Sequence, residues 1–143
     1  MKNPGIKGNA NTTKLIASIK NAAEQYKTLN KDEERAMIDK YRHDRVTLNK
    51  LLVMHNVRAV FNMAKKYKNK TYDFDGVVMD GMRGLAEAAS LFDIHKGIKF
   101  ITYAMWWIRK RMTANFYGKQ TEIDKRTLSL NAKGMSVDNG DGA

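Results

Sequence analysis

Apolar residues recur every three or four positions over most of the chain, which is the spacing of one face of an α-helix. The first such stripe, on a helix predicted to end near Asn30, consists of Leu15, Ile19, Ala22, Tyr26 and Leu29. Asn30 followed three residues later by Glu33 resembles a capping box, so a second, short helix is predicted from there to about Tyr41. The pattern contains no strand-like alternation and no internal repeat, and it therefore predicts an all-α fold.

Three more helices are predicted after Tyr41. The longest periodic segment runs from about Asp44 to Lys68, and its stripe is Val46, Leu52, Val53, Val57, Val60, Ala64 and Tyr67. After a predicted loop at residues 69–73, the next stripe is Val77, Val78, Gly81, Leu85, Ala88 and Phe92. A turn at residues 94–97 leads to a last helix from about Phe100 to Tyr117, which ends at Gly118. We predict a compact bundle of about four to five helices over residues 12–118, with flexible tails at residues 1–11 and 119–143.

The charge of the chain indicates polyanionic partners. A formal net charge of +11 on 143 residues creates a strong positive field over part of the surface. Nucleic acid fits this charge better than a membrane does, because no apolar run approaches the roughly 18 residues that a spanning helix needs. The chain has no cysteine and its first eleven residues are polar, so we predict a cytoplasmic protein.

The residue types that carry catalysis or bind metals are not grouped. His43, His55 and His95 are too far apart in the sequence for the close pair of a helical zinc site. No Ser, Thr or Cys lies in a recognisable nucleophile motif beside a candidate base. We therefore predict neither an enzyme nor a cofactor or metal site.

One stretch, residues 94–119, combines cations with aromatic rings and contains no acid. Its cations are Lys96, Lys99, Arg109, Lys110, Arg111 and Lys119, and its rings are Phe100, Tyr103, Trp106, Trp107, Phe116 and Tyr117. Cations attract phosphates and ring faces stack on unpaired bases, so the combination suits single-stranded nucleic acid. Aromatic stripes at helical spacing usually pack inward. Trp106 and Trp107, however, lie about 100° apart on a helix, so one narrow buried stripe cannot easily hide both together with Phe100 and Tyr103. At least one of these four rings should reach the surface.

Three strings of residues resemble the second conserved region of sigma-70 family sigma factors, from a bacterium or a bacteriophage. They are NVRAVFNMAKKY (56–67), GMRGLAEA (81–88) and FDIHKGIKFITYAMWWIR (92–109). Their order and spacing match the family over residues 56–113, and more weakly back to Leu29, where a segment like region 1.2 begins. The resemblance implies a helical domain that binds the clamp coiled coil of core RNA polymerase in a bacterial or phage-infected cell. It also implies that the domain recognises and melts the −10 promoter element by trapping unpaired non-template bases.

The resemblance assigns DNA-binding roles to individual positions. A pocket for a flipped adenine would be formed by Phe92, Asp93, Lys96 and Tyr103, with the ring of Tyr103 stacked on the base. Trp106 and Trp107 would form a wedge at the upstream edge of the bubble. The last base pair would face Lys110 and Thr113, and a second base pocket would be lined by Asn56 and Lys99. Phe100 and Arg109, from the same basic aromatic stretch, complete the predicted DNA-binding set.

The resemblance also assigns polymerase binding to the helix that begins near Val77, where Asp80, Gly81, Met82 and Arg83 match the docking segment. The exposed side of this helix is predicted to hold Met79, Asp80, Arg83 and Glu87, and the predicted polymerase-binding set is Met79, Asp80, Met82, Arg83 and Glu87. Four departures from the family pattern stand out, one of which covers two positions. Met79 replaces a usual glutamine, Asp75-Gly76 a usual leucine-aspartate, and Ile101 a usual serine. Lys110 replaces a glutamine that helps to read the edge of the duplex. Because lysine favours guanine acceptors or simply a phosphate, Lys110 leaves the promoter consensus open.

Two other functions remain open from the sequence. The chain could be a free-standing DNA-binding module that places Trp106 to Arg111 in the major groove, or an interaction protein that sequesters polymerase. The aromatic side chains favour the sigma role, since a groove reader presents polar side chains to base edges. We find no helix-turn-helix domain for the −35 element after Thr113. The chain could therefore be a piece of a longer factor or a compact phage factor. Whether an accessory protein supplies upstream contacts also stays open.

Overall fold

The computed structural model describes residues 10–67 and 74–114, and every regular element in these two ranges is an α-helix. The helices are α1 (Ala10–Ala23), α2 (Lys31–Lys40), α3 (Arg45–Met54), α4 (Val57–Tyr67), α5 (Phe74–Leu91) and α6 (Phe100–Ala114). The prediction of an all-α fold is confirmed. The predicted loop at residues 69–73, the end of the last helix at Gly118 and most of both tails lie outside the described residues. Within the described part, Ala10 and Asn11 belong to α1 and not to a tail.

Helix α2 begins as its sequence predicts. The side chain of Asn30 accepts a hydrogen bond from the backbone N–H of Glu33 at 2.8 Å, and the Glu33 carboxylate accepts one from the N–H of Asn30 at 2.9 Å. These reciprocal bonds satisfy two N–H groups that a helix start otherwise leaves without partners. The capping box is therefore present as predicted.

The long helix predicted from Asp44 to Lys68 is wrong, because the chain breaks at His55 and Asn56 into α3 and α4. The break is held by the connection between α1 and α2: His55 Nδ1 lies 2.7 Å from the carbonyl oxygen of Lys27, and Arg58 donates to the carbonyl of Tyr26 at 3.0 Å. Because α3 ends at Met54, it buries its own short face of Leu48 and Leu52. Val46, which we placed on the continuous stripe, is 83% exposed.

The apolar face of α1 also differs from the predicted stripe. The helix ends at Ala23, so Tyr26 and Leu29 lie beyond it, and its buried residues are Ile16 and Ala23. Leu15 is largely exposed. Polar side chains of α1 also contact the neighbouring helices. The Thr13 hydroxyl donates to Asp75 of α5 at 2.6 Å, and the Lys20 ammonium lies 5.9 Å from the ring centre of Phe61 on α4.

The core is densest between α5 and α6, which pack on each other along most of their length. All six residues of the stripe predicted for α5 are buried: Val77, Val78, Gly81, Leu85, Ala88 and Phe92. Glycine is required at position 84, because a Cβ atom there would lie 2.5 Å from the backbone oxygen of Trp107. The two helix backbones therefore approach each other closely at Gly84, which fixes α6 relative to α5.

Candidate functional site

The outer side of α6 carries a connected set of aromatic rings. Tyr103, Trp106 and Trp107 are each partly exposed to solvent, and Tyr103 and Trp107 also pack against the core. The ring centres of Tyr103 and Trp107 are 6.5 Å apart, and those of Trp106 and Trp107 are 5.1 Å apart with their planes at 87°. The prediction that at least one of the four rings of α6 reaches the surface is confirmed.

Phe92 and Phe100, by contrast, belong to the core, and their direct contact with DNA stays a prediction. Their exposures are 4% and 0%, and their rings meet edge to face with centres 5.2 Å apart. Phe92 also lies 5.5 Å from the ring centre of Tyr103. The two phenylalanines therefore form an apolar floor that supports Tyr103, and in this conformation neither offers a face to a base.

The loop between α5 and α6 lies beside this floor. Asp93 and Lys96 are exposed, and the Asp93 carboxylate accepts a hydrogen bond from the backbone N–H of His95 at 2.9 Å. The N–H of Lys96 donates to the carbonyl of Asp93 at 3.2 Å, which closes a tight turn. Gly97 has a φ of 77°, a left-handed conformation that glycine adopts without steric cost. Asp93, Lys96 and Tyr103 are thus the members of the predicted adenine pocket that reach solvent.

Three charged side chains from α2 and α3 hold this loop in place. The Glu34 carboxylate accepts a hydrogen bond from the N–H of Phe100 at 2.7 Å, at the first residue of α6. Arg35 donates to the carbonyl of Ile94 at 3.1 Å. Arg45 donates to the carbonyls of Ala89 at 2.9 Å and Phe92 at 2.7 Å, near the end of α5. These bonds satisfy backbone groups that helix ends leave without partners, and we call the three residues the loop frame.

Sequence reasoning missed the loop frame, although Glu34 carries a recognisable signal. It is an acid in the first turn of α2, where acids are common because they favour the positive end of the helix dipole. Here its side chain is only 4% exposed and serves a second helix instead. Burial raises the pKa of Glu34, and the hydrogen bond from Phe100 opposes that shift without cancelling it.

The predicted outward side of α5 requires a correction at Asp80. Asp80 is 6% exposed, because positions 80, 84 and 87 lie along the side of α5 that faces α6. Gly84 touches the backbone of Trp107 there. Arg83 is exposed, whereas Met79 and Met82 are partly buried and pack against the core. Of the residues predicted on the outward side, Arg83 is therefore exposed, Met79, Met82 and Glu87 are partly exposed, and Asp80 is buried.

Glu87, also predicted to face outward, forms an ion pair with Arg111 of α6. Arg111 Nε donates to one carboxylate oxygen at 2.9 Å, and a terminal guanidinium nitrogen donates to the other. This two-bond geometry is specific to arginine and carboxylates. The pair lowers the pKa of Glu87 and raises that of Arg111. Arg111 was not among the predicted site residues, and it connects α6 to α5.

The last turns of α6 separate two residues that we placed together at the final base pair. The Lys110 ammonium lies 4.8 Å from the ring centre of Trp106 and 5.2 Å from that of Trp107. Thr113 is 6% exposed and donates to the carbonyl of Arg109 at 2.8 Å, so its hydroxyl is engaged within the helix. Its contact with DNA stays a prediction. Arg109 is exposed beside Lys110.

The two residues of the second predicted base pocket lie on different parts of the chain, one at the break between α3 and α4 and one just before α6. Asn56 is partly buried at the α3–α4 break, where its side-chain amide donates to the carbonyl of Leu52 at 2.7 Å. Lys99 is partly buried just before α6, and its charge acts on the Glu34 carboxylate. The structure therefore gives Asn56 a role in the helix break, and its contact with DNA stays a prediction.

Within residues 10–67 and 74–114, no three His, Cys, Asp or Glu side chains are grouped so that they could hold a metal ion. The same part of the chain contains no helix that is long and apolar enough to cross a membrane.

Comparison with known proteins identifies the family. Residues 52–120, which include α4, α5 and α6, match the family model for sigma-70 region 2. The chain belongs to the sigma-70 family. Region 2 therefore includes the ring set of α6, the loop before it and the outer side of α5. The loop frame of Glu34, Arg35 and Arg45 lies ahead of the matched residues and yet fixes region 2.

Several curated relatives are RNA polymerase sigma factors. The chain is 37% identical to RNA polymerase sigma factor SigA of Microcystis aeruginosa over 108 residues, 76% of this chain and 25% of the relative. It is 47% identical to SigA of Nostoc sp. over 62 residues, 43% of this chain and 16% of the relative. It is 36% identical to SigA of Listeria monocytogenes over 85 residues, 59% of this chain and 23% of the relative. The chain thus spans a quarter or less of the length of these sigma factors.

Proposed function

We propose that this chain acts as an RNA polymerase sigma factor, or as its region 2 part, and captures unpaired non-template bases of the −10 promoter element on α6. The observation that carries the proposal is the surface of α6. Tyr103, Trp106 and Trp107 reach solvent on a helix that contains no acid, beside the exposed cations Arg109 and Lys110. Ring faces stack on bases of any sequence, and cations hold the backbone, so this surface suits a single strand.

Tyr103 is the strongest candidate to hold an extruded base. Its ring rests on Phe92, which itself packs on Phe100, so its position is fixed from below. The exposed side chains of Asp93 and Lys96 provide polar groups in the preceding loop. A base stacked on Tyr103 would therefore meet a rigid ring and have polar groups near its edge, which is how flipped bases are read.

Binding of core polymerase is assigned to the outer side of α5, centred on Arg83 with Met79 and Met82. Partly exposed methionines adapt well to a partner surface, and a charged arginine supplies orientation. Asp80 and Glu87 face α6, and their contribution would be to hold the two helices together. The partner surface is the clamp coiled coil of the largest polymerase subunit, as the family resemblance implies. We propose no catalytic step in this chain.

The direct test is co-elution of the full chain with core polymerase, followed by transcription from an AT-rich template that is already melted at the −10 element. We expect a stable complex and specific initiation. Failure to co-elute would remove the sigma role. Tight binding to intact duplex without polymerase would favour a free-standing DNA-binding module, and co-elution that blocks initiation would favour a sequestering protein.

A further inference from the structure

Lys110 contacts both tryptophans of the chain at once. The chain has two tryptophans, and Lys110 follows Trp106 by four residues and Trp107 by three. Residues at these two spacings are neighbours on a helix surface, so one side chain can reach both rings. The ammonium lies 4.8 Å and 5.2 Å from the two ring centres, and the ring planes are 87° apart. Lys110 therefore occupies the notch between two perpendicular rings.

The charges around this notch reinforce its position. Arg111, the next residue, is engaged by both oxygens of Glu87 on α5. The charge of Lys110 also acts on the Glu87 carboxylate. The ammonium is thus attracted both by the rings and by an acid at the edge of α5, and both attractions keep it close to the helix surface.

We propose that Lys110 is a positioning residue that fixes the two tryptophan rings before DNA binds and that meets a backbone phosphate when the strand is captured. To read a base edge, the ammonium would have to leave the rings and extend into the groove. To meet a phosphate, it can stay where it is, because an ammonium is a compact charge with three donors and needs no fixed direction. This inference rests on the proposed function of α6 in strand capture.

The expected gain is preorganisation. Rings that are already held in the bound geometry do not have to be ordered during binding, so affinity rises without a new base contact. Arginine at position 110 could replace lysine, since guanidinium groups also stack on aromatic faces. Glutamine, the usual residue of the family at this position, has no charge to offer to the rings.

The first measurement needs no DNA. Because all tryptophan fluorescence of the chain comes from Trp106 and Trp107, acrylamide quenching reports on this pair alone. We expect Lys110→Gln to increase the quenching constant and shift the emission, Lys110→Arg to resemble the parent, and Lys50→Gln to leave both unchanged. Lys50 is an exposed lysine of α3 outside the site, so it controls for the loss of one charge. Unchanged quenching in Lys110→Gln would contradict the inference.

The second measurement compares holoenzymes on forked templates that carry each of the four base pairs at the junction. Lys110→Gln should weaken binding about 2- to 10-fold for all four templates alike, the range expected for a cation–π contact, and Lys110→Arg should restore it. A loss that depends on the base pair would contradict this inference alone. If the unmodified chain binds no forked template, the proposed function fails, and this inference fails with it.

Discussion

Helices α5 and α6 share one tightly packed interface and differ in everything that faces outward. On the shared side, Gly84 meets the backbone of Trp107, and Glu87 binds Arg111. Outside, α5 presents Arg83, the edges of Met79 and Met82, and further exposed residues such as Ser90 and Leu91, and its sequence contains three acids. The outer side of α6 presents aromatic rings and cations, and its sequence contains no acid. This difference supports the proposal that the two helices serve different partners, a protein on the outer side of α5 and a polyanion on the outer side of α6.

The largest expected effect comes from breaking the shared interface. Gly84→Ala places a Cβ atom 2.5 Å from a backbone oxygen that cannot move without shifting α6. We expect a loss of about 3 kcal/mol or more in the free energy of unfolding, measured by urea denaturation. Binding to polymerase and to forked DNA should fall together, since both surfaces depend on this contact.

Gly81→Ala is the matched control on the same helix. Its Cβ atom would meet the end of the Met112 side chain and lie 2.9 Å from a methyl group of Val60. The tip of a methionine can rotate away, so we expect a cost of about 1 kcal/mol. Equal losses for the two variants would show that the close approach at Gly84 does not fix the helix pair.

The next prediction separates the two outward sides. Arg83→Glu reverses the exposed charge at the centre of the outer side of α5, and it should weaken polymerase binding by about 2 kcal/mol with little change in thermal stability. The sequence analysis placed Asp80 on the same outward side, which makes Asp80→Lys a second charge reversal to test. Asp80 is buried towards α6, however, so that change should lower the melting temperature first. Unchanged polymerase affinity in folded Arg83→Glu would exclude this side of α5 from the interface.

The parts of the fold that the sequence predicted well are those whose signals are local or strongly periodic. The capping box of α2 involves residues three apart, and the stripe of α5 extends over four turns. The stripe of α1 was wrong because the choice between Leu15 and Ile16 depends on which neighbours the helix meets. The break at His55 was missed for a similar reason, since it is fixed by contacts with Tyr26 and Lys27.

The same distinction applies to the candidate site. The ring set of α6 was predicted because adjacent tryptophans cannot both be hidden on one narrow face. The loop frame was not predicted, because Glu34 and Phe100 are 66 residues apart and a capping acid on another helix leaves no periodic signal. Asp80 was misplaced because the stripe of α5 specifies the centre of its buried face and does not specify how far α6 covers the flank.

A third prediction concerns the outer side of α6 alone. If Tyr103 stacks on an extruded base, Tyr103→Ala should cost about 1 to 3 kcal/mol in the affinity of holoenzyme for a forked template. Tyr103→Phe should retain most of the affinity, because the ring face does the stacking. The measurement pairs this template with one that is abasic at the flipped position. Equal losses on both templates, or a large drop in melting temperature, would assign Tyr103 to the core instead.

The smallest expected effects concern Glu34 and Glu87, whose pKa values shift in opposite directions. They sharpen the comparison between a buried contact and a contact at the surface. The pKa of Glu34 is raised above its ordinary value of 4.5 by burial, so the folded state holds the proton more tightly than the unfolded state does. The stability that this shift contributes is fully present below pH 4.5 and is lost as the pH rises through the raised pKa. The pKa of Glu87 is lowered from 4.5 by Arg111, so its contribution is present above pH 4.5 and is lost as the pH falls through the lowered value.

Glu34→Gln and Glu87→Gln should therefore change the pH profile of stability in opposite directions. Glutamine at position 34 can still accept the hydrogen bond from Phe100, so that variant isolates the cost of a buried charge. As the pH rises from acid to neutral, the unfolding free energy of the parent should fall relative to that of Glu34→Gln. Over the same change it should rise relative to that of Glu87→Gln. We expect each difference to be about 1 kcal/mol or less, because one hydrogen bond or one exposed ion pair contributes on that scale. Urea denaturation at several pH values from roughly 3 to 8 measures both differences. Difference curves of the same sign for both variants would mean that the Glu34 carboxylate is not charged in its buried position at the start of α6.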